Sequence, residues 1–89
     1  WLRLRLEGVE SNRAGIGARV AVHSGGLVQT DEVRSGASFL SQSDLRLHFG
    51  LGEAKIADRV VVHWPSGQVD EYENLQIDRS WVLVEGDLP

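Results

Sequence analysis

Apolar and polar residues alternate with a period of two through most of this chain. Leu2, Leu4 and Leu6 alternate with Arg3 and Arg5, and Ala18, Val20 and Val22 alternate with Arg19, Ala21 and His23. Leu45, Leu47 and Phe49 alternate with Arg46 and His48, and Val60, Val62 and Trp64 with Arg59, Val61 and His63. Successive side chains of a strand point to opposite sides, so this pattern predicts strands with one buried and one wet face. No window of helical length keeps apolar residues at i, i+3 and i+4. A single helical turn is allowed around Glu53 to Ala57, where the alternation breaks.

Turn signals punctuate these segments. Ser24-Gly25-Gly26-Leu27 predicts a tight hairpin joining Ala18–Ser24 to Val28–Arg34, since Gly reaches positive φ without a steric penalty. Pro65-Ser66-Gly67-Gln68 predicts a second hairpin, joining Arg59–Trp64 to Val69–Glu73. A last strand is expected from about Trp81 to Glu85, and Asp58 is expected to start the strand before Trp64. In the stretch "DLRLHFGLGEAKIADRVVVHWPSG", Leu51 reads as a plug behind Phe49. The segment Arg34 to Ser43 is too long for a hairpin turn, so it is expected to cross between sheets with Phe39 and Leu40 plugging the core edge. About seven short strands separated by turns predict an all-β fold: a single antiparallel β-sandwich with Ig-like, Greek-key connections.

The chain has 89 residues, which favours one domain spanning residues 1–89. It has no Cys, which removes a disulfide framework and a thiolate zinc site. It has no Met and starts at Trp1, so it is expected to be excised from a longer protein. No membrane insertion is expected within this segment. The net charge of −4 argues against nucleic acid as a partner, because phosphate contacts need a basic surface. Lys55 is the sole Lys, so the cationic side chains are nearly all Arg. These are expected to pair with carboxylates across strand faces.

Several residues are candidates for chemistry. His23, His48 and His63 all fall on the outward side of their strands. If the strands of His48 and His63 pair across the Gly50–Asp58 connection, the two rings become neighbours, and with Asp44 or Asp58 they form a candidate zinc or copper site. The spacing matches no established metal motif, and an outward His is more often a plain surface residue. Gly15-Ile16-Gly17 resembles a phosphate-binding loop, but a strand follows it rather than a helix, and no Gly-Lys-Ser/Thr is present. A structural loop accounts for it better, with Asn12 in an Asx-turn and Arg13 locking the loop to a carboxylate. A calcium site at Asn12 lacks nearby acidic ligands. No G-x-S-x-G elbow marks a nucleophile, and no catalytic residue is assigned. Trp64 is expected in the core. Trp1 and Trp81 are expected either to close the core where the first and last strands pair or to offer an interaction surface.

Three blocks, "NRAGIGARVAV", "VRSGASFLSQSDLRLHFGLG" and "DRVVVHWPSG", together with the leading "WLRLRLEG", resemble the ASPIC/UnbV domain in order and spacing over nearly the whole chain. Ala14 stands where that family commonly has Asp, which would remove a ligand from any calcium site in the loop. The resemblance implies a C-terminal module that follows FG-GAP/VCBS repeats, themselves similar to β-propeller blades, in a secreted, periplasmic or cell-surface protein. No agreed activity and no catalytic residues come with it. The expected role is therefore a non-catalytic accessory domain without a cofactor, docking on the adjacent repeat domain or binding an extracellular protein or glycan. Trp1, Trp81, Asn12 and Arg13 are the interaction candidates. A metal- or carbohydrate-binding module is the alternative, and a small metal-assisted enzyme is the reading least favoured.

Overall fold

The computed structural model describes residues 1–11, 13–34 and 46–86. Over these residues the chain forms seven strands: β1 (Leu2–Glu7), β2 (Arg19–Ser24), β3 (Leu27–Glu32), β4 (Leu47–Phe49), β5 (Ile56–His63), β6 (Val69–Gln76) and β7 (Arg79–Val84). They make two sheets, a three-stranded one in the order β4-β1-β7 and a four-stranded one in the order β3-β2-β5-β6. The fold is all-β, a sandwich of the two sheets. The apolar sides of both converge on one core, Leu2, Leu4, Leu6, Leu47, Phe49 and Leu83 from the first and Val20, Val22, Val60, Val62 and Tyr72 from the second. Fully burying each of these large side chains contributes about 1.5–3 kcal/mol, so the alternation itself specifies the sandwich.

The chain changes sheet between β1 and β2, β3 and β4, β4 and β5, and β6 and β7. The connection from β3 to β4 thus crosses as expected, but its path, with Phe39, Leu40 and Leu45, lies outside the described residues. The first and last strands pair, and they do so in parallel, Leu2 opposite Arg79 through Glu7 opposite Val84. The other pairings are antiparallel.

Both predicted hairpins form. Gly25 and Gly26 have φ of 57° and 82°, so a two-residue loop closes β2 onto β3 with the twist that strands prefer. In the second, Gly67 N donates to Trp64 O (2.9 Å) and Trp64 N to Gln68 O (2.8 Å), with Gly67 at φ 98°. Leu51 is buried as a plug. The segment after it makes a turn closed by Ala54 N to Leu51 O (3.0 Å) rather than a helical turn, and β5 starts at Ile56, two residues before Asp58. β7 likewise starts at Arg79, ahead of Trp81.

One break in the alternation has a local cause. Asn74 lies within β6 at φ 55°, a left-handed conformation that Asn tolerates better than most residues. Beside it Asp58 and Asn74 are exposed and drop out of the β5–β6 ladder. Beyond them Ala57 and Leu75 turn into the core, although simple alternation from Arg59 and Glu73 places them outside.

Candidate functional site

The polar groups buried deepest lie at one pole of the sandwich, where the loop after β1, the β5–β6 turn and the end of β7 meet. Asp70 is completely buried on the core side of β6. Its Oδ2 accepts hydrogen bonds from Trp64 Nε1 (2.8 Å) and Gly86 N (2.8 Å), and its Oδ1 accepts from Gln68 Nε2 (2.8 Å). Trp64 is core, as its inward position predicts, and its indole N–H is satisfied there.

Glu85 is the second buried carboxylate. Its Oε1 accepts from Val9 N (2.8 Å) and Ser11 N (2.8 Å), and its Oε2 accepts from Ser11 Oγ (3.0 Å) and the Ser66 hydroxyl. Ser66 N in turn donates to Ser11 Oγ (3.2 Å). Burial by itself would raise the pKa of Glu85. The hydrogen bonds from the Ser66 hydroxyl, the Ser11 and Val9 N–H groups and the Ser11 hydroxyl outweigh it, and lower the pKa from 4.5 to about 2. Both carboxylates are thus held by neutral donors of the fold itself, and what they do is tie three segments together.

Neither carboxylate was singled out by sequence reasoning, yet the signal was present. Asp70 precedes Tyr72 on the inward side of β6, and Glu85 follows Leu83 in the same alternation, one residue past the end of β7. An acid at an inward position of an alternating strand requires internal donors.

The glycine loop is structural. Gly15 has φ 72°, and a Cβ there would lie 2.9 Å from Leu6 Cβ. Gly17 N donates to Val33 O (2.8 Å) and Ala18 N to Gly15 O (3.0 Å), so the backbone amides bond within the protein. Asn12 lies outside the described residues. The Arg13 side chain is exposed and forms no ion pair among the described residues; the carboxylate that locks this loop is Glu85, acting on Ser11 and Val9.

His48 and His63 are not brought together. His48 is in β4 of the three-stranded sheet, opposite Arg3, and His63 is in β5 of the four-stranded sheet, opposite Arg19 and Val69. Both are exposed, so they face solvent from opposite sides of the sandwich. The pairing of their strands that a shared site requires is not formed. Asp58 instead accepts from Gly25 N (3.1 Å) and steadies the first hairpin. Among the described residues no group of three or more His, Asp and Glu is arranged to hold a metal ion.

The two terminal tryptophans differ. Trp81 is half-buried against the core edge, its Nε1 donates to Gln76 O (2.9 Å), and the Arg79 guanidinium lies 5.7 Å from its ring centre. Trp1 is half-exposed and is held through its backbone, with its N donating to Asp78 Oδ1 (2.9 Å) and its O accepting from Asp78 N (2.6 Å). Arg3 lies 5.7 Å from its ring centre, within cation–π reach. Arg3 Nε is buried without a hydrogen-bond partner, a penalty of about 1–3 kcal/mol. Trp1 and Arg3 belong to the outer face of the three-stranded sheet, which also carries Arg5, His48, Ser80 and Val82.

A family model described as ASPIC and UnbV matches residues 8–89 of the chain. No curated protein and no solved structure gives a match.

Proposed function

This chain belongs to the ASPIC and UnbV family, and we propose that it is a non-catalytic accessory domain that works by docking. In this reading it is part of a longer exported protein and seats against the adjacent FG-GAP/VCBS repeats, which are similar to propeller blades. Binding of an extracellular protein or glycan by the same surface is the variant of this reading.

The observation that carries it is a contrast between inside and outside. The polar side chains with catalytic potential at the buried pole, Asp70 and Glu85, are engaged by donors of the domain's own loops. The outer face of the three-stranded sheet instead presents Trp1 and Val82, each about half exposed, beside Arg3 and Arg5, which form no ion pair among the described residues. Exposed aromatic and aliphatic side chains next to Arg are the composition of a contact surface.

Calorimetric unfolding of the 89-residue chain, beside the full natural polypeptide that carries it, tests the reading. Docking predicts that the chain melts several degrees lower alone and merges into a shared transition in the longer protein. A separate transition at the same temperature in both overturns intramolecular docking and directs the search to external ligands.

A further inference from the structure

The two outer faces of the sandwich use their arginines differently. On the four-stranded sheet Arg59 is salt-bridged to Glu71 and Arg19 to Glu32 (3.4 Å). That face is neutralised by its own cross-strand pairs. On the three-stranded sheet Arg3 and Arg5 follow one another along the outward side of β1. His48 lies across from Arg3 on one flank, and Ser80 and Val82 lie across from Arg3 and Arg5 on the other. Glu7 is the sole acid in these three strands, the next outward residue after Arg5 on β1 and opposite Val84. Arg3 is engaged by the Trp1 ring, and Arg5 is exposed with no ion pair among the described residues. In a chain of net charge −4, Arg3 and Arg5 thus stand together on one outer face, with neither in an ion pair among the described residues.

We propose that the outer face of the three-stranded sheet, centred on Arg5 and flanked by Arg3, His48, Trp1 and Val82, is the docking surface and that its partner is an acidic protein surface. The inference rests on the docking reading above and names the face and the chemistry of what covers it. Arginine presents a planar fork of donors that matches a carboxylate through two parallel hydrogen bonds. The cations are interleaved with Val82 and Trp1, which need apolar atoms opposite them, and a protein surface supplies both kinds of contact. A densely anionic polymer or lipid leaflet fits less well. Such partners reward many cationic contacts along their length, whereas this face offers few.

The test is an NMR titration of the isotopically labelled chain with a glutamate-rich peptide at low salt. A sulfated oligosaccharide and phosphatidylserine vesicles serve as comparison probes. The expected result is saturable shifts at Arg3, Arg5, His48 and Val82, weakened at least tenfold by Arg5→Glu and unchanged by Arg19→Glu on the opposite face. Arg5→Gln, which keeps much of the side-chain stem and removes the charge, gives an intermediate loss and guards against misfolding of the reversal variant. Absence of shifts, shifts centred on the four-stranded sheet, or insensitivity to Arg5→Glu overturns the proposal. Tighter binding of the oligosaccharide or the vesicles on the same face also overturns it, since the partner is then not a protein. If the peptide fails while the calorimetric coupling persists, the face is wrong and docking stands. If the peptide binds this face without coupling, docking on the same polypeptide fails and the acidic-partner assignment stands.

Discussion

Ser11 and Glu85, 74 residues apart in the chain, are joined by two hydrogen bonds, from Ser11 N to Glu85 Oε1 (2.8 Å) and from Ser11 Oγ to Glu85 Oε2 (3.0 Å). The end of β7 is thereby fastened to the loop that leaves β1. Since β1 and β7 also pair along their length, Glu85 completes the closure of the three-stranded sheet at this pole.

The first prediction concerns pH. The folded-state pKa of Glu85 is about 2, below its ordinary 4.5. A lowered pKa means that the ionised group favours the folded state. Its contribution is complete above about pH 4.5 and is lost as pH falls towards 2, where both states become protonated. Urea unfolding from pH 6 to pH 2 is expected to show a progressive loss of stability in this window. Glu85→Gln should flatten that part of the profile and lower stability at pH 6. An unchanged slope in the variant would show that other carboxylates carry the effect.

Asp70 gives a prediction about buried donors. Asp70→Ala leaves Trp64 Nε1, Gln68 Nε2 and Gly86 N without their acceptor. The expected loss is about 3 kcal/mol, because unsatisfied buried donors cost about 1–3 kcal/mol each and the surface-near Gln68 recovers water. Denaturant unfolding followed by circular dichroism measures this loss. A loss below about 1 kcal/mol would mean that water replaces the carboxylate.

Two glycines separate the effects of backbone conformation and crowding. Gly15 and Gly25 both have positive φ, but a Cβ at Gly15 meets Leu6 Cβ at 2.9 Å, whereas one at Gly25 meets nothing within 4 Å. Gly25→Ala is expected to cost about 1–2 kcal/mol from its left-handed backbone alone. Gly15→Ala adds overpacking, for a total of about 3 kcal/mol. Equal losses in thermal or urea unfolding would count against close packing of the loop on β1.

Asn74 tests the reversal of faces in β6. Asn74→Gly should be neutral within about 0.5 kcal/mol, since Gly adopts φ 55° freely. Asn74→Val should cost about 2 kcal/mol, because a β-branched residue is penalised there and a return to regular strand geometry would expel Leu75 from the core. If Val stabilises the protein, the left-handed turn is not needed to bury Leu75.

The sequence by itself determined which side of most strands is buried, where the two hairpins turn, and the family. Each of these is local or a pattern along the chain. Leu2, Leu4 and Leu6 must share a side because successive side chains alternate, and Gly25-Gly26 must turn because few other residues accept that backbone. The outward positions of His48 and His63 were legible in the same way. What the tertiary structure decided is which strand neighbours which. It put those two histidines on opposite faces, made the β1–β7 pair parallel, and gave Asp70 and Glu85 their donors. It also decided that Arg19 and Arg59 of one face are paired while Arg3 and Arg5 of the other form no ion pair among the described residues. The reason is that alternation fixes a side chain's side and says nothing of its cross-strand neighbour. Neighbours are set by contacts between segments far apart in sequence, such as the 74-residue span from Ser11 to Glu85, whose formation depends on the packing of the whole core.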